Sequence, residues 1–113
     1  MTTATIKILG ISDEVLTCEC CGKSNLKRTV ALEINDGVVY YGTDCAGMAL
    51  MGKKTAGNRK VVETKALALT YGKSRLGKWT PEQVARAIWN KFGYLTEVKP
   101  GRIVVQGAGE IAL

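Results

Sequence analysis

Apolar and polar side chains alternate along the first third of the chain, as they do in half-buried β-strands. The alternation is most regular over residues 27–34, which read KRTVALEI. The Asn-Asp-Gly sequence at 35–37 indicates a tight turn, because Asp-Gly tolerates the positive φ angles that such turns require. Residues 38–41 are predicted to return as the partner strand of a hairpin. Shorter apolar runs at 4–9 and 15–17 predict two further strands before it.

The apolar positions then recur at the 3.6-residue period of helices. A first helix is predicted over 45–51, with Thr43 or Asp44 as its N-cap. A second is predicted over 58–71, and Gly72 is expected to end it.

The strongest helix signal is Thr-Pro-Glu-Gln at 80–83, which supplies an N-cap, a proline in the first turn and a capping box. The apolar face of this helix is predicted to bury Trp89 and Phe92, and Gly93 is expected to end the helix. Residues 73–78 before it are interpreted as a flexible basic loop. Residues 102–106 predict one last short strand, followed by a Gly-Ala-Gly tail.

The positions of the cysteines are the clearest indication of chemical function in the sequence. All four cysteines lie in two short stretches, and the chain has no histidine. Cys18 and Cys21 form a Cys-x2-Cys-Gly-Lys run, typical of a zinc knuckle in which a tight turn brings two thiolates onto one metal. Cys45 is predicted at a helix start, where free amides and the helix dipole favour a thiolate. We therefore expect Cys18, Cys21 and Cys45 to bind one tetrahedral Zn²⁺.

The N-terminal sequence lacks the basic start and long apolar run of a signal peptide, so a cytoplasmic location is expected. Disulfides are disfavoured in that compartment, and clustered cysteines then indicate metal or redox chemistry. The helix-breaking residues 22–25 follow the knuckle where a thioredoxin-like site would begin a helix. No apolar stretch approaches the roughly 20 residues needed to cross a bilayer, so no membrane association is expected.

The order of knuckle, hairpin and helix, with a thiolate in the first helical turn, resembles the treble-clef zinc module over about residues 15–52. More narrowly, Cys-x2-Cys-Gly-Lys followed by Tyr-x-Gly-x-Asp-Cys-Ala at 40–46 resembles small zinc-binding proteins encoded by phages and other mobile elements. The resemblance implies a zinc site and a treble-clef-like fold, and it implies no activity.

The chain departs from the treble-clef pattern at position 48, where a fourth ligand is usual. Met48 is a poor zinc donor and is interpreted as a core residue. Asp44, Cys20, water or a distant carboxylate can complete the zinc site, and Asp44 or a distant carboxylate is slightly favoured over Cys20. A position left open to water would be the geometry of a catalytic zinc.

Positive charge is concentrated in one quarter of the chain. The net charge is +6, yet residues 53–78 alone carry +7, and residues 1–52 carry −2. Such asymmetry is typical of proteins that contact phosphate. Trp79 beside these cations is suited to stacking on an unpaired base. The predicted nucleic-acid-binding residues are Lys53, Lys54, Arg59, Lys60, Lys73, Arg75, Lys78 and Trp79.

Together these patterns predict a single α+β domain over residues 1–113. Residues 1–52 would form the treble-clef-like site, packed against two further helices and a short C-terminal strand from 53–113. The leading function is a small zinc-binding protein that uses structural zinc and binds DNA or RNA through 53–78. The alternative is a protein-interaction module, for instance a phage or mobile-element protein that modulates a host protein. An enzyme with an open zinc position is the least favoured interpretation.

Overall fold

The computed structural model describes residues 6–113. Within that range, three helices follow a three-stranded antiparallel sheet and precede a second one along the chain. The strands of each sheet are neighbours in chain order. In sequence, the elements are β1 (Ile6–Ser12), β2 (Thr29–Ile34), β3 (Gly37–Tyr41), α1 (Thr43–Met51), α2 (Ala56–Arg75), α3 (Pro81–Phe92), β4 (Thr96–Lys99), β5 (Arg102–Val105) and β6 (Gly109–Ala112).

The first sheet confirms the predicted hairpin. Asn35 and Asp36 form its two-residue turn with φ angles of 51° and 66°, as a type I′ turn requires. The first predicted strand, 4–9, is present from residue 6 onward as part of β1, and residues 4 and 5 lie outside the described range. The strand predicted at 15–17 is wrong. That segment is a loop, where the Val15 carbonyl accepts a hydrogen bond from the Thr29 hydroxyl at 2.7 Å.

Two helix starts differ from the prediction. Gly42 occupies the N-cap of α1, and within the described structure no side chain caps it, so neither Thr43 nor Asp44 has the predicted role. Helix α2 begins earlier than expected because the Thr55 hydroxyl accepts a hydrogen bond from the Asn58 backbone N–H at 3.0 Å. It also continues to Arg75, so residues 73–75 are helical rather than a flexible loop. The capping box of α3 and the left-handed Gly93 that ends it are confirmed.

Gly72 lies inside α2 and does not end it. A Cβ at this position would lie 2.5 Å from Cδ1 of Ile111 and 2.9 Å from Cδ1 of Ile88. The glycine therefore lets α2 pack closely against α3 and β6, and its role is tertiary contact rather than helix termination.

Replacing Gly72 by alanine is expected to lower the free energy of unfolding by about 1–3 kcal/mol, since overpacking outweighs the gain in helix propensity. Gly77→Ala is the matched control, because a Cβ there would meet no described atom within 4 Å. Urea denaturation of both variants is the measurement. A Gly72→Ala protein as stable as the Gly77→Ala protein would contradict the close packing.

Residues 96–112 form a three-stranded sheet rather than the single strand predicted at 102–106. Strands β4 and β6 flank β5 on either side. The predicted Gly-Ala-Gly tail at 107–109 is the turn into β6, and Ala108 within it is buried. These strands are only four residues long, which explains why their apolar alternation is too short to recognise.

The two halves of the chain share one apolar core. Fully buried side chains from the first sheet, α2, α3 and the second sheet belong to one cluster, with Leu32, Leu69, Ile88 and Ile111 among its largest members. The prediction for Trp89 is wrong, because this side chain is 51% exposed. Phe92 is half-buried and packs edge-on against Tyr71, with ring centroids 5.7 Å apart.

Candidate metal centre

Cys18 and Cys21 lie in a turn that closes on itself through its backbone. The Cys18 N–H donates to the Lys23 carbonyl, and the Gly22 N–H donates to the Cys18 carbonyl, both at 2.8 Å. Gly22 has a φ of 79°, which a residue with a Cβ adopts only under strain. The glycine in the Cys-Gly-Lys run is therefore required by the turn itself.

This turn is fixed to the exposed edge of the hairpin. The Glu19 N–H donates to the Tyr40 carbonyl, and the Tyr40 N–H donates to Oε1 of Glu19, both at 2.9 Å. Strand β3 thus gains two additional hydrogen bonds beyond its pairing with β2. The consequence is that the turn is held against the strand that leads directly into α1.

Gly42 joins that strand to α1 and passes close to Cys18. A Cβ at Gly42 would lie 3.7 Å from the Cys18 Cβ and 3.8 Å from its sulfur. Cys45 follows in the first turn of α1 and is buried, as is Cys18. The sequence-based expectation that the helix start favours a thiolate at Cys45 is wrong for the metal-free protein, because burial and the neighbouring sulfurs raise the pKa of this thiol.

The resulting arrangement brings three thiol groups together. Among residues 6–113, the sulfurs of Cys18, Cys21 and Cys45 form a group in which all lie within 4.8 Å of one another. Two sulfurs bound to one tetrahedral zinc at 2.3 Å would be about 3.8 Å apart. The three cysteines predicted as ligands therefore form a cluster that can hold a metal ion after only a small contraction.

The backbone around the cluster favours a thiolate. Burial raises the pKa of the Cys18 thiol, but hydrogen bonds from the backbone N–H groups of Gly42, Cys21 and Cys20 outweigh it and lower the pKa to about 7. Burial, together with hydrogen bonds to the neighbouring cysteine sulfurs, raises the pKa of Cys45 to about 12. Without metal, the Cys18 thiol therefore ionises near neutral pH, whereas the Cys45 thiol stays protonated. A bound cation would displace the remaining protons.

The two alternative fourth ligands are placed differently. Asp44 lies outside the three-sulfur group, and its carboxylate is 3.7 Å from the Arg59 guanidinium. Cys20 is also outside the group and exposed, but its thiol contributes to the raised pKa of Cys45. Met48 was interpreted as a core residue, and this is wrong, since its side chain is exposed.

Tyr41 lies beside the cluster, and sequence reasoning did not identify it as part of the site. Burial raises the pKa of its hydroxyl, and negative charge on the neighbouring cysteine cluster and on Glu19 raises it further. The hydroxyl therefore remains protonated and can donate a hydrogen bond. Its position directly before Gly42, in the Tyr-Gly-x-Asp-Cys sequence, was the available signal.

The predicted nucleic-acid-binding residues lie in two groups, one near each end of α2. Lys53, Lys54, Arg59 and Lys60 are exposed at its N-terminal end. The other four predicted residues lie at its C-terminal end and beyond. Arg59 and Arg75 are about 24 Å apart along the helix axis.

Two of the C-terminal cations make contacts within the chain. The Lys73 ammonium donates to the Leu9 carbonyl at 2.6 Å, and burial lowers the pKa of this lysine. The Arg75 guanidinium lies over the rings of Tyr71 and Trp79, at 5.2 and 5.4 Å from their centroids. Lys78 and Trp79 are exposed in the turn before α3.

Comparisons with known proteins identify no relative. No family model matches the sequence, and neither the curated proteins nor the solved structures contain a match. Within residues 6–113, no helix combines the length and apolar character needed to span a membrane. Functional assignment therefore depends on the cysteine cluster and on the chemistry of the exposed surfaces.

Proposed function

We propose that the chain is a zinc-binding protein in which Cys18, Cys21 and Cys45 supply three thiolate ligands. The observation that carries this proposal is the group of three sulfurs within 4.8 Å of one another. Thiolate ligands favour Zn²⁺ over hard cations such as Mg²⁺ and Ca²⁺, which prefer oxygen. The absence of histidine from the sequence leaves sulfur as the dominant donor.

For the fourth ligand we favour Cys20 over Asp44. Cys20 lies in the same turn as Cys18 and Cys21, and a change of its χ1 rotamer would alter its distance to the other sulfurs. Asp44 would have to leave its ion pair with Arg59 to reach the metal. A fourth protein ligand would close the zinc site to substrate, so we assign the metal a structural role.

The architecture around the cluster supports a structural role. Within the described chain, residues 13–28 form neither helix nor strand, and a segment of this length without regular structure is uncommon in a compact domain. Zinc would tie this segment to the start of α1 through Cys45. Structural zinc sites contribute on the order of 10 kcal/mol to folding.

Protein purified without added metal is expected to contain one zinc per chain, and a strong chelator is expected to lower its melting temperature. Elemental analysis and thermal melts with and without chelator are the measurements. A zinc ratio near zero, together with four thiols that react freely with a thiol reagent, would contradict the zinc site.

We further propose that the partner is nucleic acid, contacted through the basic segment 53–78. The +7 charge of this segment supports electrostatic binding to phosphates, driven by release of counterions. Lys53, Lys54 and Lys60 are exposed and, among residues 6–113, have no carboxylate at ion-pair distance. They are therefore available to phosphate groups.

A further inference from the structure

The outward face of α3 carries an aromatic and polar surface, of which the sequence prediction included only Trp79. Two exposed tryptophans lie beside it, Trp79 with 37% and Trp89 with 51% of its side chain accessible. Hydrophobic side chains exposed singly are common, whereas several exposed aromatic and apolar side chains on one face are typical of a binding site. No internal packing requirement explains why Trp89 is a tryptophan.

Two hollows lie along this face, one beside each tryptophan. Trp79 lines a hollow of about 350 Å³, and Trp89 lines one of about 650 Å³ together with Thr96 and Val98. Both hollows are broadly open to solvent, so they suit a ligand that lies along the surface. Both hollows are also lined by the same three side chains of α3, namely Glu82, Arg86 and Asn90.

These three shared side chains form a ridge between the hollows. They are spaced four residues apart, so they lie on successive turns of one helix face and span about 12 Å of its axis. Within residues 6–113, no carboxylate lies at ion-pair distance from the Arg86 guanidinium. The ridge thus presents a free cation and an amide between two aromatic rings.

The surroundings of Trp79 fix its ring and add positive charge. The Arg75 guanidinium lies 5.4 Å from the centroid of Trp79, and the Tyr71 ring packs at 72° to it with centroids 6.5 Å apart. The Nε atom of Arg75 is buried and has no hydrogen-bond partner in the described structure. The Lys91 ammonium lies 5.1 Å from the Tyr71 centroid, so two cations adjoin this aromatic cluster.

We infer that this surface of Trp79, Arg86, Asn90 and Trp89 binds unpaired nucleic acid, with bases stacked on the two indoles and a phosphate at Arg86. The inference rests on the proposed nucleic-acid binding and names its substrate class. Base–aromatic stacking requires an exposed base face, which a duplex does not offer. The Asn90 amide and the Glu82 carboxylate are suited to hydrogen bonds with base edges.

Fluorescence anisotropy on the zinc-loaded chain tests the inference, with labelled single strands of about ten nucleotides and a duplex of the same length. Trp89→Ala is expected to weaken single-strand binding about tenfold and duplex binding less than about twofold. Trp89→Phe, which keeps an aromatic face, is expected to retain most of the affinity. Val38→Ala is the control, because Val38 is equally exposed at 51% but lies on the hairpin.

Tryptophan fluorescence provides a second, independent readout of stacking. The chain has two tryptophans, so Trp79→Phe leaves Trp89 as the only source of tryptophan emission. Its emission is expected to be quenched by the single strand and unchanged by the duplex. Melting temperatures of all variants are measured alongside, and exposed positions are expected to change them little.

Each other outcome overturns the inference in a distinguishable way. In one outcome the parent protein binds single strands, Trp89→Ala does not change the affinity, and the Trp89 emission is not quenched. The protein would then bind nucleic acid through a surface other than α3. If the protein binds the duplex more tightly than the single strand, and Trp89→Ala does not change that affinity, the protein recognises a groove or the backbone of the duplex. No binding to any oligonucleotide at low salt would overturn the proposed partner as well and favour a protein partner.

Discussion

Replacing Cys21 by serine is expected to abolish zinc retention and to lower the melting temperature by more than about 10 °C. The serine hydroxyl is a much weaker zinc ligand than a thiolate. Loss of this ligand weakens the link between the turn at residues 18–23 and α1 and leaves the remaining thiolates under-coordinated. Zinc content per chain and thermal melts are the measurements.

Cys20→Ser is the closest comparison, because Cys20 lies in the same turn and is exposed like Cys21. Water can take the place of this proposed fourth ligand, so the variant is expected to keep about one zinc per chain with a lower affinity than the parent protein. Asp44→Asn is expected to leave zinc affinity unchanged, since the Asp44 carboxylate pairs with Arg59. A competing chromophoric chelator gives the three affinities.

The three variants discriminate between the possible ligand sets. A larger loss of affinity in Asp44→Asn than in Cys20→Ser would make Asp44 the fourth ligand. Equal loss of zinc in Cys20→Ser and Cys21→Ser would contradict a turn in which Cys18 and Cys21 are the primary pair.

The affinity for nucleic acid is expected to depend steeply on salt. If five phosphates are neutralised, the logarithm of the affinity falls with the logarithm of the salt concentration at a slope of about −3.5 on a single strand and about −4.5 on a duplex. Anisotropy titrations across a salt series measure the slope. An oligonucleotide of about twenty nucleotides can reach both ends of α2.

The combined variant Lys53→Gln, Lys54→Gln, Lys60→Gln is expected to make the single-strand slope about 2 less steep. Its melting temperature should change little, because these side chains are exposed. Lys73 and Arg75 are left intact, since each contacts another part of the chain.

The matched control replaces Lys7, Lys23 and Lys27, which are also exposed but lie in the acidic part of the chain. Both triple variants lower the net charge by the same amount. If the salt dependence changes equally in the two triple variants, the affinity depends on the overall charge of the protein rather than on segment 53–78. No change in either would remove this segment from the binding surface.

The local sequence was sufficient to predict the elements that local interactions stabilise. The Asn35–Asp36 turn, the capping box at Thr80 and the close approach of Cys18, Cys21 and Cys45 were all predictable. A turn, a cap and a knuckle each depend on residues a few positions apart, whose geometry the backbone itself limits. Only Cys45 had to be brought in from further away, and the hairpin between the two cysteine stretches does that.

Features that depend on contacts distant in sequence were not predictable. Gly72 has the sequence position of a residue that ends a helix. In the structure its missing side chain allows close packing against Ile88 and Ile111. Trp89 has the spacing of a core residue, yet Val84, Ala85 and Ile88 already fill the buried face of α3.

The sequence by itself determined the three thiols of the cysteine cluster, the hairpin that joins them and the excess of positive charge. Tertiary structure decided which cations remain free, because Lys73 donates to the Leu9 carbonyl and Arg75 is held by two aromatic rings. It also decided which aromatic residue faces solvent. The physical reason is that side-chain exposure depends on which surfaces pack together, and the sequences of both surfaces contribute to that choice.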